Sequence, residues 1–411
     1  MIIQLLDGLY RWVGLPLADL VLFGATLVST KARDRRSLAR RSEHLHDLPA
    51  PSQHRLWFHA ASMGEFEQLV PVIMAVREQA ADVSVVVTLT SPSGLAHARA
   101  TPGVDAAYIL PPDTPRSMQK WFDRVQPTMV VIDRYDVWRM LVLEADARNV
   151  PVVLVNATMP TGARMSLLRS WYADTYRRIR SITAVTDKDG RELAELTGRT
   201  DIAIDTDTRV DRVIQRLSTP DGAVLAYGRS DVTTIVLGSS WAEDEDLIFS
   251  ALQEEWSPYL RLIIVPHEPS EDELERIESK ITCTRWSRST PETTGHLVVD
   301  RVGLLLSIYA IADAAFVGGG FGAGVHSVTE PAGYALPIAC GPRITRSRDA
   351  VALHEAGALL PIETVDDAID WISNVVDHEG YCERASTLAA SYIKAHRGAS
   401  KRYAERITAL W

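Results

Sequence analysis

The stretch Val317-Gly318-Gly319-Gly320-Phe321-Gly322-Ala323-Gly324-Val325-His326-Ser327-Val328-Thr329-Glu330-Pro331 decides the fold. It ends an apolar run over residues 310–317, which predicts the end of a helix followed by a buried strand. Five glycines then fall within seven residues. Glycine lets the backbone take positive φ and lets a ligand approach the amides closely. At Glu330-Pro331 a new helix can begin, with proline in its first turn.

A strand, a glycine loop and a helix start together predict an anion-binding element, because free amides and the positive end of the helix dipole face one point. This pattern favours a site for the phosphate of a nucleotide donor, with Gly319, Gly320, Gly322 and Gly324 as candidates. A tight turn without a ligand is the alternative, and the loop alone leaves it open. The loop is not a Walker loop, since no Gly-Lys-Ser/Thr follows it.

Length and charge narrow the classes of protein. The chain has 411 residues, which predicts two or three domains, and its formal net charge of −10 argues against nucleic-acid binding. Its cysteines, Cys283, Cys340 and Cys382, have no metal-ligand spacing and indicate a reducing compartment without a disulfide framework. No HExxH or similar set is present, so we predict no metal site.

Apolar strands alternate with amphipathic helices from residue 55 onwards, which predicts an α/β protein with parallel sheets covered on both faces. The pattern weakens between residues 215 and 233, and a second series of strands and helices begins there. We therefore predict two Rossmann-like domains, 42–218 and 219–385, that face each other across a cleft. A C-terminal helix, 386–411, is expected to follow them.

Ligands of open α/β sheets bind beyond the carboxyl ends of the strands. The loops that follow the predicted strands are therefore the candidates for chemistry. They cover residues 62–65, 91–94, 133–138, 238–241, 266–269 and 318–326.

Residues 1–41 predict a membrane-interacting N-terminal helix. An apolar run over 12–28, interrupted by Pro16 and Asp19, is too short for a spanning helix. The positive charge follows the run instead of preceding it, which argues against a signal peptide. We expect the apolar side in the acyl boundary and the basic residues on anionic head groups, while a buried helix packed on the first domain is the alternative. The basic residues are Lys31, Arg33, Arg35, Arg36, Arg40 and Arg41.

Several of these loops together resemble the 3-deoxy-D-manno-octulosonic acid (Kdo) transferases. His59-Ala60-Ala61-Ser62-Met63-Gly64-Glu65 is similar to their His-Ala-x-Ser-x-Gly-Glu motif. Asp207-Thr208-Arg209-Val210-Asp211 resembles Gly-Asp-Thr-Arg-Val-Asp, with Thr206 in place of the glycine. The stretch from Gly318 to Pro331 resembles their donor loop and His-Asn-x-x-Glu-Pro, with Ser327 at the asparagine. Residues 134–138, Arg-Tyr-Asp-Val-Trp, are closer to a branch with Lys-Tyr-Glu-Phe-Trp than to the common Glu-Thr-Glu-Leu-Trp.

The resemblance implies a GT-B glycosyltransferase that moves Kdo from CMP-Kdo to a lipid A precursor, lipid IVA, in lipopolysaccharide biosynthesis. It further implies inversion at the anomeric carbon, no metal, no cofactor, and a peripheral or monotopic location at the cytoplasmic face of the inner membrane. CMP-Kdo, the lipid A precursor and anionic lipids would be the partners, and nucleic acid would not. Another GT-B enzyme, such as a lipid-linked sugar transferase or a UDP-sugar 2-epimerase, and a non-catalytic homologue are the alternatives.

Inverting transfer needs a base for the acceptor hydroxyl and a site for the departing phosphate. By its match to the motif, Glu65 is the base; the alternative is that it only closes a capping box with Ser62. Ser62, Gly64 and Ser91 are the candidate acceptor-binding residues. His59 ends a strand and is expected to orient its neighbours instead of reacting.

Four further residues are candidates for the donor. Glu330 would bind the ribose hydroxyls, or else serve the helix dipole. His267 would contact the leaving phosphate or the Kdo carboxylate, or else be a solvated loop residue. His326 would lie on the donor side or hydrogen-bond within the loop, and Arg134 would serve the donor carboxylate or an acceptor phosphate, or pair with Asp136.

Overall fold

The structure is a computed structural model that describes residues 2–42, 48–50, 52–80, 82–164, 166–229, 231–256 and 258–411. The chain forms two compact units. The first unit contains Met1–Arg212 and Gly398–Trp411, and the second contains Val213–Arg397. The sequence placed the boundary between the two domains between residues 218 and 219, near the start of the second unit. It did not predict that the C-terminal segment returns to the first unit.

The first unit is built on a seven-stranded sheet in the order β3-β2-β1-β4-β5-β6-β7. All of its pairings are parallel. The strands are mostly apolar and buried, as expected where both faces of a sheet are covered. The strands are β1 (His54–Ala60), β2 (Val83–Leu89), β3 (Ala106–Ile109), β4 (Met129–Asp133), β5 (Val152–Ala157), β6 (Ser181–Ala184) and β7 (Ala203–Ile204).

Helices connect these strands, and the chain begins with three more. A π-helix, Tyr10–Gly14, lies between the first two. The helices up to the junction of the units are α1 (Ile2–Leu9), α2 (Leu15–Val28), α3 (Thr30–Ser42), α4 (Met63–Gln79), α5 (Leu95–Ala100), α6 (Pro115–Val125), α7 (Arg139–Ala147), α8 (Ser166–Arg177), α9 (Asp187–Thr197) and α10 (Arg209–Leu217).

The second unit repeats the architecture with a seven-stranded sheet in the order β10-β11-β9-β8-β12-β13-β14. Its pairings are also parallel. The two-domain α/β prediction is therefore confirmed. The strands are β8 (Thr233–Ser240), β9 (Leu260–Pro266), β10 (Cys283–Arg285), β11 (His296–Val298), β12 (Ala314–Val317), β13 (Ile338–Cys340) and β14 (Leu359–Pro361).

The remaining helices follow in chain order, and the last of them belongs to the first unit. They are α11 (Gly222–Leu225), α12 (Ala242–Ala251), α13 (Glu271–Lys280), α14 (Leu305–Tyr309), α15 (Thr329–Gly333), α16 (Arg348–Glu355), α17 (Val365–Asp377), α18 (Glu379–His396) and α19 (Ala399–Thr408).

Each sheet separates two apolar cores, because successive side chains of a strand point to opposite faces. In β1, Leu56 and Phe58 pack on one side and Trp57 on the other. In β8, Ile235 packs on one side and Val236 on the other. All of these side chains are fully buried, so both faces of both sheets are covered.

The sequence did not predict β7, β10 and β14. All of them are edge strands of two or three residues, which pair with one neighbour only. An edge strand buries less side-chain surface, so its apolar pattern is weak. The helix that precedes β12 is short, since α14 covers only Leu305–Tyr309.

The C-terminal segment is two helices where the sequence predicted one over 386–411. The chain turns at Gly398, whose φ of +86° favours glycine. Helix α19 then packs Tyr403 and Ile407 into the same core as Leu56 of β1. Asp211 accepts hydrogen bonds from the amides of Gly398 at 2.6 Å and Ser400 at 2.7 Å, which caps the new helix.

The N-terminal segment is held to the first unit by polar side chains. Asp7 accepts hydrogen bonds from Arg139 Nε at 2.9 Å and from the indole of Trp171 at 2.8 Å. The Tyr10 hydroxyl donates to Asp113 at 2.7 Å. None of the helices in the described ranges is long and apolar enough to span a bilayer. Of the predicted basic residues, Lys31, Arg40 and Arg41 have side chains outside the described part.

Replacing Asp211 by alanine should destabilise the first unit by about 2 kcal/mol, because two amides at the start of α19 lose their acceptor. Calorimetric thermal unfolding of the full chain measures this loss. Asp221→Ala is the matched control, since that carboxylate caps the exposed, four-residue α11 through Ala223. An equal effect of the two substitutions would contradict a special role for the Asp211 cap.

Candidate active site

Glu65 lies in the first turn of α4, directly after the turn that follows β1. Ser62 is the N-cap of this helix, and its Oγ accepts a hydrogen bond from the Glu65 amide at 3.4 Å. Glu65 Oε2 accepts from the Ser62 amide at 2.9 Å and from its hydroxyl at 3.2 Å. The capping box therefore exists. It uses Oε2, and within the described residues no group donates to Oε1.

The candidate acceptor residues lie together at the carboxyl edge of the first sheet. The loop after β2 lies against the turn after β1, because the Ser91 amide donates to the carbonyl of Ala61 at 3.0 Å. The Ser91 hydroxyl shares a hydrogen bond with that of Ser93 at 2.9 Å. Gly64 is exposed, and an added Cβ would meet only Ser62 Oγ, at 4.0 Å. Packing therefore does not require glycine at position 64.

A buried polar network lies at the same edge of the sheet. Asp133, at the end of β4, accepts a hydrogen bond from Asn156 Nδ2 at 2.7 Å. The same Nδ2 donates to Thr208 Oγ1 at 2.8 Å, and Thr208 donates in turn to a backbone carbonyl of α4, that of Gln68, at 2.7 Å. The network thus ties β4, β5 and the segment before α10 to the helix that carries Glu65.

The environment of the Asp133 carboxyl favours its protonated form. Burial raises its pKa well above the ordinary value, and the negative charges of Asp207 and Glu65 raise it further, against the opposing effects of Arg134 and Asn156.

Arg134 lies in the left-handed region, with a φ of +58°. Its Nε donates to Gln68 Oε1 at 2.9 Å, and its terminal nitrogen donates to Asp207 at 2.6 Å. Burial opposes its charge, but Asp207, Asp133 and Glu65 raise its pKa overall. The pairing with Asp136 that the sequence left open is wrong, because the guanidinium is committed to Gln68 and Asp207.

Asp136 pairs with His59 instead. The buried His59 ring contacts Asp136 Oδ2 through Nε2 at 2.9 Å and Thr88 Oγ1 through Nδ1 at 2.9 Å. Thr90 also donates to Asp136, at 3.1 Å. Burial works to raise the pKa of Asp136, but the hydrogen bond and charge of His59 outweigh it, so the pKa is lowered. This geometry agrees with an orienting role for His59.

The glycine loop of the second unit is shaped by close backbone approaches. Gly319 has a φ of +89°, which favours glycine, and a Cβ at Gly320 would come within 2.6 Å of the Gly341 backbone. The next helix, α15, begins at Thr329 and has only five residues. The helix predicted after the loop is therefore present but is little more than a single turn.

Three of the four candidate glycines use their amides inside the protein. Gly319 donates to Asp244 Oδ2 at 2.9 Å, and Gly322 and Gly324 donate to the carbonyl of Gly319 at 3.0 and 3.2 Å. These three glycines therefore do not provide free amides that converge on one point. The interpretation of the loop as a simple phosphate-binding cradle is corrected accordingly. The amide of Gly320 has no acceptor in the described part of the chain.

Two arginines that the sequence analysis missed lie beside the loop. Arg343 donates to the carbonyl of Gly322 at 2.7 Å, and Arg346 donates to that of Ala323 at 3.0 Å. They follow β13, whose carboxyl end lies beside that of β12 in the sheet. They place positive charge at the loop.

The candidate histidines lie together with a tryptophan. His267 stacks on Trp241 with ring centroids 4.8 Å apart and on His326 at 4.4 Å. The Trp241 indole donates to His326 Nε2 at 3.0 Å. The three rings follow β8, β9 and β12, whose carboxyl ends lie side by side. His267 is exposed but stacks on two neighbouring rings, and His326 has a hydrogen bond within the site.

Asp244 connects the loop to these rings. Its Oδ2 accepts from the amides of Gly319 and Trp241, both at 2.9 Å, while its buried Oδ1 has no partner among the described residues. Burial raises the pKa of Asp244 to about 6, against the lowering effect of the two amides.

Glu330 lies in α15, one turn beyond the loop. Its Oε1 is 3.6 Å from a terminal nitrogen of Arg216, so the carboxylate has a cationic neighbour in the same unit. The ribose role implied for Glu330 stays a prediction.

Within the described ranges, no group of three or more His, Cys, Asp or Glu side chains could hold a metal ion, and Cys283, Cys340 and Cys382 are free thiols. The metal-free mechanism stays a prediction.

Part of what the sequence analysis missed was detectable. Asp133 and Asn156 are polar residues at the ends of buried apolar strands, where ligand sites of α/β sheets lie. Arg343 and Arg346 carry no such signal, since only the packing of their loop brings them to the glycines.

The two parallel-sheet units define the GT-B class of protein. Among solved structures, the UDP-GlcNAc 2-epimerase from Methanocaldococcus jannaschii superposes with a TM-score of 0.59 and 16% identity, over 87% of this chain and 99% of that one. At this identity the likeness shows the fold alone.

Sequence comparison finds similarity to the Kdo transferases. Residues 33–212 match the family model described as 3-deoxy-D-manno-octulosonic-acid transferase (kdotransferase). The 3-deoxy-D-manno-octulosonic acid transferase of Haemophilus influenzae is 25% identical, with 93% of each chain covered. That of Bordetella pertussis is 26% identical, over 86% of this chain and 87% of the relative. The resemblance predicted from the motifs is thus confirmed, since the chain is similar to Kdo transferases over most of its length.

Asp244 should make the stability of the second unit depend on pH. Its folded-state pKa of about 6 lies above the ordinary 3.8. The folded chain therefore keeps a proton that the unfolded chain loses, and the stabilisation is lost as pH rises through about 4 to 6. From pH 5.0 to 7.5, the free energy of unfolding of wild type relative to Asp244→Asn should fall by about 1 kcal/mol. Thermal unfolding at both pH values measures it, and a constant difference would contradict the assignment.

Proposed function

We propose that the chain transfers Kdo from CMP-Kdo to a lipid A precursor, lipid IVA, with inversion and without a metal or other cofactor. The observation that carries the proposal is the relationship to Kdo transferases over nearly the whole chain. Its support in the structure is that the matched motif residues lie at the carboxyl edges of the two sheets, where α/β proteins bind ligands.

Glu65 acts as the base in this proposal. Ser62 holds Oε2, which orients the carboxylate and leaves Oε1 to take the proton of the acceptor hydroxyl. As that proton leaves, the acceptor oxygen bonds to the anomeric carbon of Kdo from one face. The bond from the anomeric carbon to the CMP phosphate breaks on the other face, and its electron pair departs with CMP. The network of Asp133, Asn156 and Thr208 keeps α4 in place during this step.

The second unit supplies the donor contacts. CMP carries one phosphate, so the Gly320 amide with the charges of Arg343 and Arg346 suits it without a metal ion. Gly319, Gly322 and Gly324 serve by holding the loop in shape. Glu330 takes the ribose hydroxyls, and His267 and His326 take the anionic groups of the donor.

The N-terminal helices bring the enzyme to the cytoplasmic face of the inner membrane. Nine of the described apolar side chains in this segment are exposed, although Asp7 and Tyr10 anchor it to the first unit. An exposed apolar surface with neighbouring arginines fits an anionic membrane. The exposed apolar residues are Ile2, Leu5, Leu9, Trp12, Val13, Leu17, Leu20, Val21 and Phe23.

Glu65→Gln should lower the turnover number for CMP release from CMP-Kdo, with a tetraacylated lipid A precursor and EDTA present, by about 10²- to 10⁴-fold. Glutamine can still accept the Ser62 amide hydrogen bond, so the unfolding temperature should stay within a few degrees of wild type. Steady-state kinetics and thermal unfolding are the two measurements.

The matched control is Glu78→Gln, the same substitution at an exposed position of the same helix, which should leave turnover unchanged. Equal activity of wild type and Glu65→Gln would remove Glu65 from the mechanism. Absence of release by wild type would overturn the Kdo transferase proposal and direct attention to other nucleotide sugars.

Trp12→Glu should weaken binding to vesicles of phosphatidylglycerol and phosphatidylethanolamine by at least about tenfold, because an exposed apolar side chain becomes charged. Trp12 is 83% exposed, so the substitution does not disturb a core. Vesicle sedimentation measures the affinity. A point substitution is sharper than deletion of residues 1–41, which would also remove the contacts of Asp7 and Tyr10.

Val302→Glu is the control, since this residue of the second unit is 80% exposed and lies outside the N-terminal helices. Its vesicle affinity should equal that of wild type. An equal loss in both variants, or wild type without affinity, would exclude the N-terminal helices as the membrane-binding surface.

A further inference from the structure

Trp241 carries a chemical property that the proposed mechanism does not yet use. An indole N–H can only donate a hydrogen bond. Because it donates to His326 Nε2 at 3.0 Å, that nitrogen must accept and must be free of a proton. The His326 ring is therefore neutral, with its proton on Nδ1.

We propose that Trp241 is a positioning residue that holds His326 in the Nδ1–H tautomer, so that Nδ1–H donates to an anionic oxygen of the donor substrate. The proposal rests on the proposed function for the identity of that donor. The tautomer itself rests on the contact between the two rings. His326 is the group that touches substrate, and Trp241 acts through it.

The position of Trp241 relative to the loop is fixed by the backbone. Asp244 Oδ2 accepts the amides of both Trp241 and Gly319, so the turn after β8 and the glycine loop are tied to one oxygen. Trp241 also precedes α12, whose first turn contains Asp244. The backbone of Trp241 is therefore held beside the loop that leads to His326.

The orientation of the His326 ring is fixed from the other side. A Cβ at Gly319 would lie 2.9 Å from His326 Cδ2 and 3.1 Å from Nε2, so this edge of the imidazole packs against the loop. Nδ1 lies across the ring from that edge. No described residue hydrogen-bonds to Nδ1, so its proton is available to a ligand.

His267 completes the arrangement by covering the junction of the two rings. Its centroid is 4.4 Å from that of His326 and 4.8 Å from that of Trp241, with nearly parallel planes. Burial lowers the pKa of His326, and the nearby His267 lowers it further. A neutral His326 gives a directional donor, which can distinguish the position of an oxygen better than a free charge.

The tautomer is tested by long-range ¹H–¹⁵N spectra of the full chain labelled with ¹⁵N-histidine at pH 7.5. His326→Asn identifies the His326 signal by its disappearance. Wild type should show protonated Nδ1 and unprotonated Nε2. Trp241→Phe keeps an aromatic ring at a position that is 42% exposed, but it removes the donor, so His326 should become a mixture of tautomers.

His267→Phe is the control for the spectra, because it keeps a ring over His326 and leaves the indole donor in place. The His326 tautomer should be unchanged in this variant. Calorimetric titration with CMP and with CMP-Kdo then measures the consequence for binding. Trp241→Phe should weaken CMP-Kdo about three- to tenfold, as expected for one misdirected hydrogen bond.

Comparison of CMP with CMP-Kdo shows which oxygen of the donor accepts the hydrogen bond from His326 Nδ1. An equal loss for CMP and CMP-Kdo assigns Nδ1–H to the phosphate, and a loss for CMP-Kdo alone assigns it to the sugar carboxylate. Protonated Nε2 or a cationic ring in wild type would overturn the proposal, as would unchanged tautomer and affinity in Trp241→Phe. The expected tautomer without CMP-Kdo binding by wild type would leave the Trp241 contact confirmed but overturn the donor assignment and the role of Nδ1–H.

Discussion

The parallel pairing of the strands is the constraint on which the rest of this structure depends. A parallel connection must cross a face of the sheet, so helices cover both faces and the strands in the middle become apolar on both sides. Polar side chains are then restricted to the strand ends. Glu65, Asp133 and Arg134 lie at the carboxyl ends of the strands of the first sheet. Trp241 and His267 lie at the carboxyl ends of the strands of the second.

Polar groups at these edges are partly buried, and each requires a specific partner. Asp133 is held by Asn156 from the neighbouring strand, and Asp244 is held by two backbone amides from two loops. A buried carboxylate without a hydrogen-bond partner would destabilise the fold by several kcal/mol. Asp133 and Asp244 therefore keep hydrogen bonds, while burial raises the pKa of each. The same hydrogen bonds hold the loops in position. The contacts that stabilise the fold therefore also set the geometry of the candidate site.

The N-terminal segment is attached to the first unit in a different way. Polar contacts of Asp7 and Tyr10 hold it, together with partial packing of Leu38 and Ala39 against the core of the first unit. These contacts leave the apolar residues on the outside. The arrangement explains why the sequence supported two interpretations, an interfacial helix and a packed one, since the segment has features of both.

The sequence by itself determined the two parallel sheets, the motif loops and the resemblance to Kdo transferases, because long apolar strands and glycine spacing are local signals. It also located Glu65, Gly320, His267 and His326 after the carboxyl ends of strands. Only the tertiary structure decided that Arg134 pairs with Asp207, that three loop glycines use their own amides, and that Trp241 joins His326. These pairings connect residues far apart in the chain. Strand order and loop packing bring them together, and no local pattern in the chain encodes those distances.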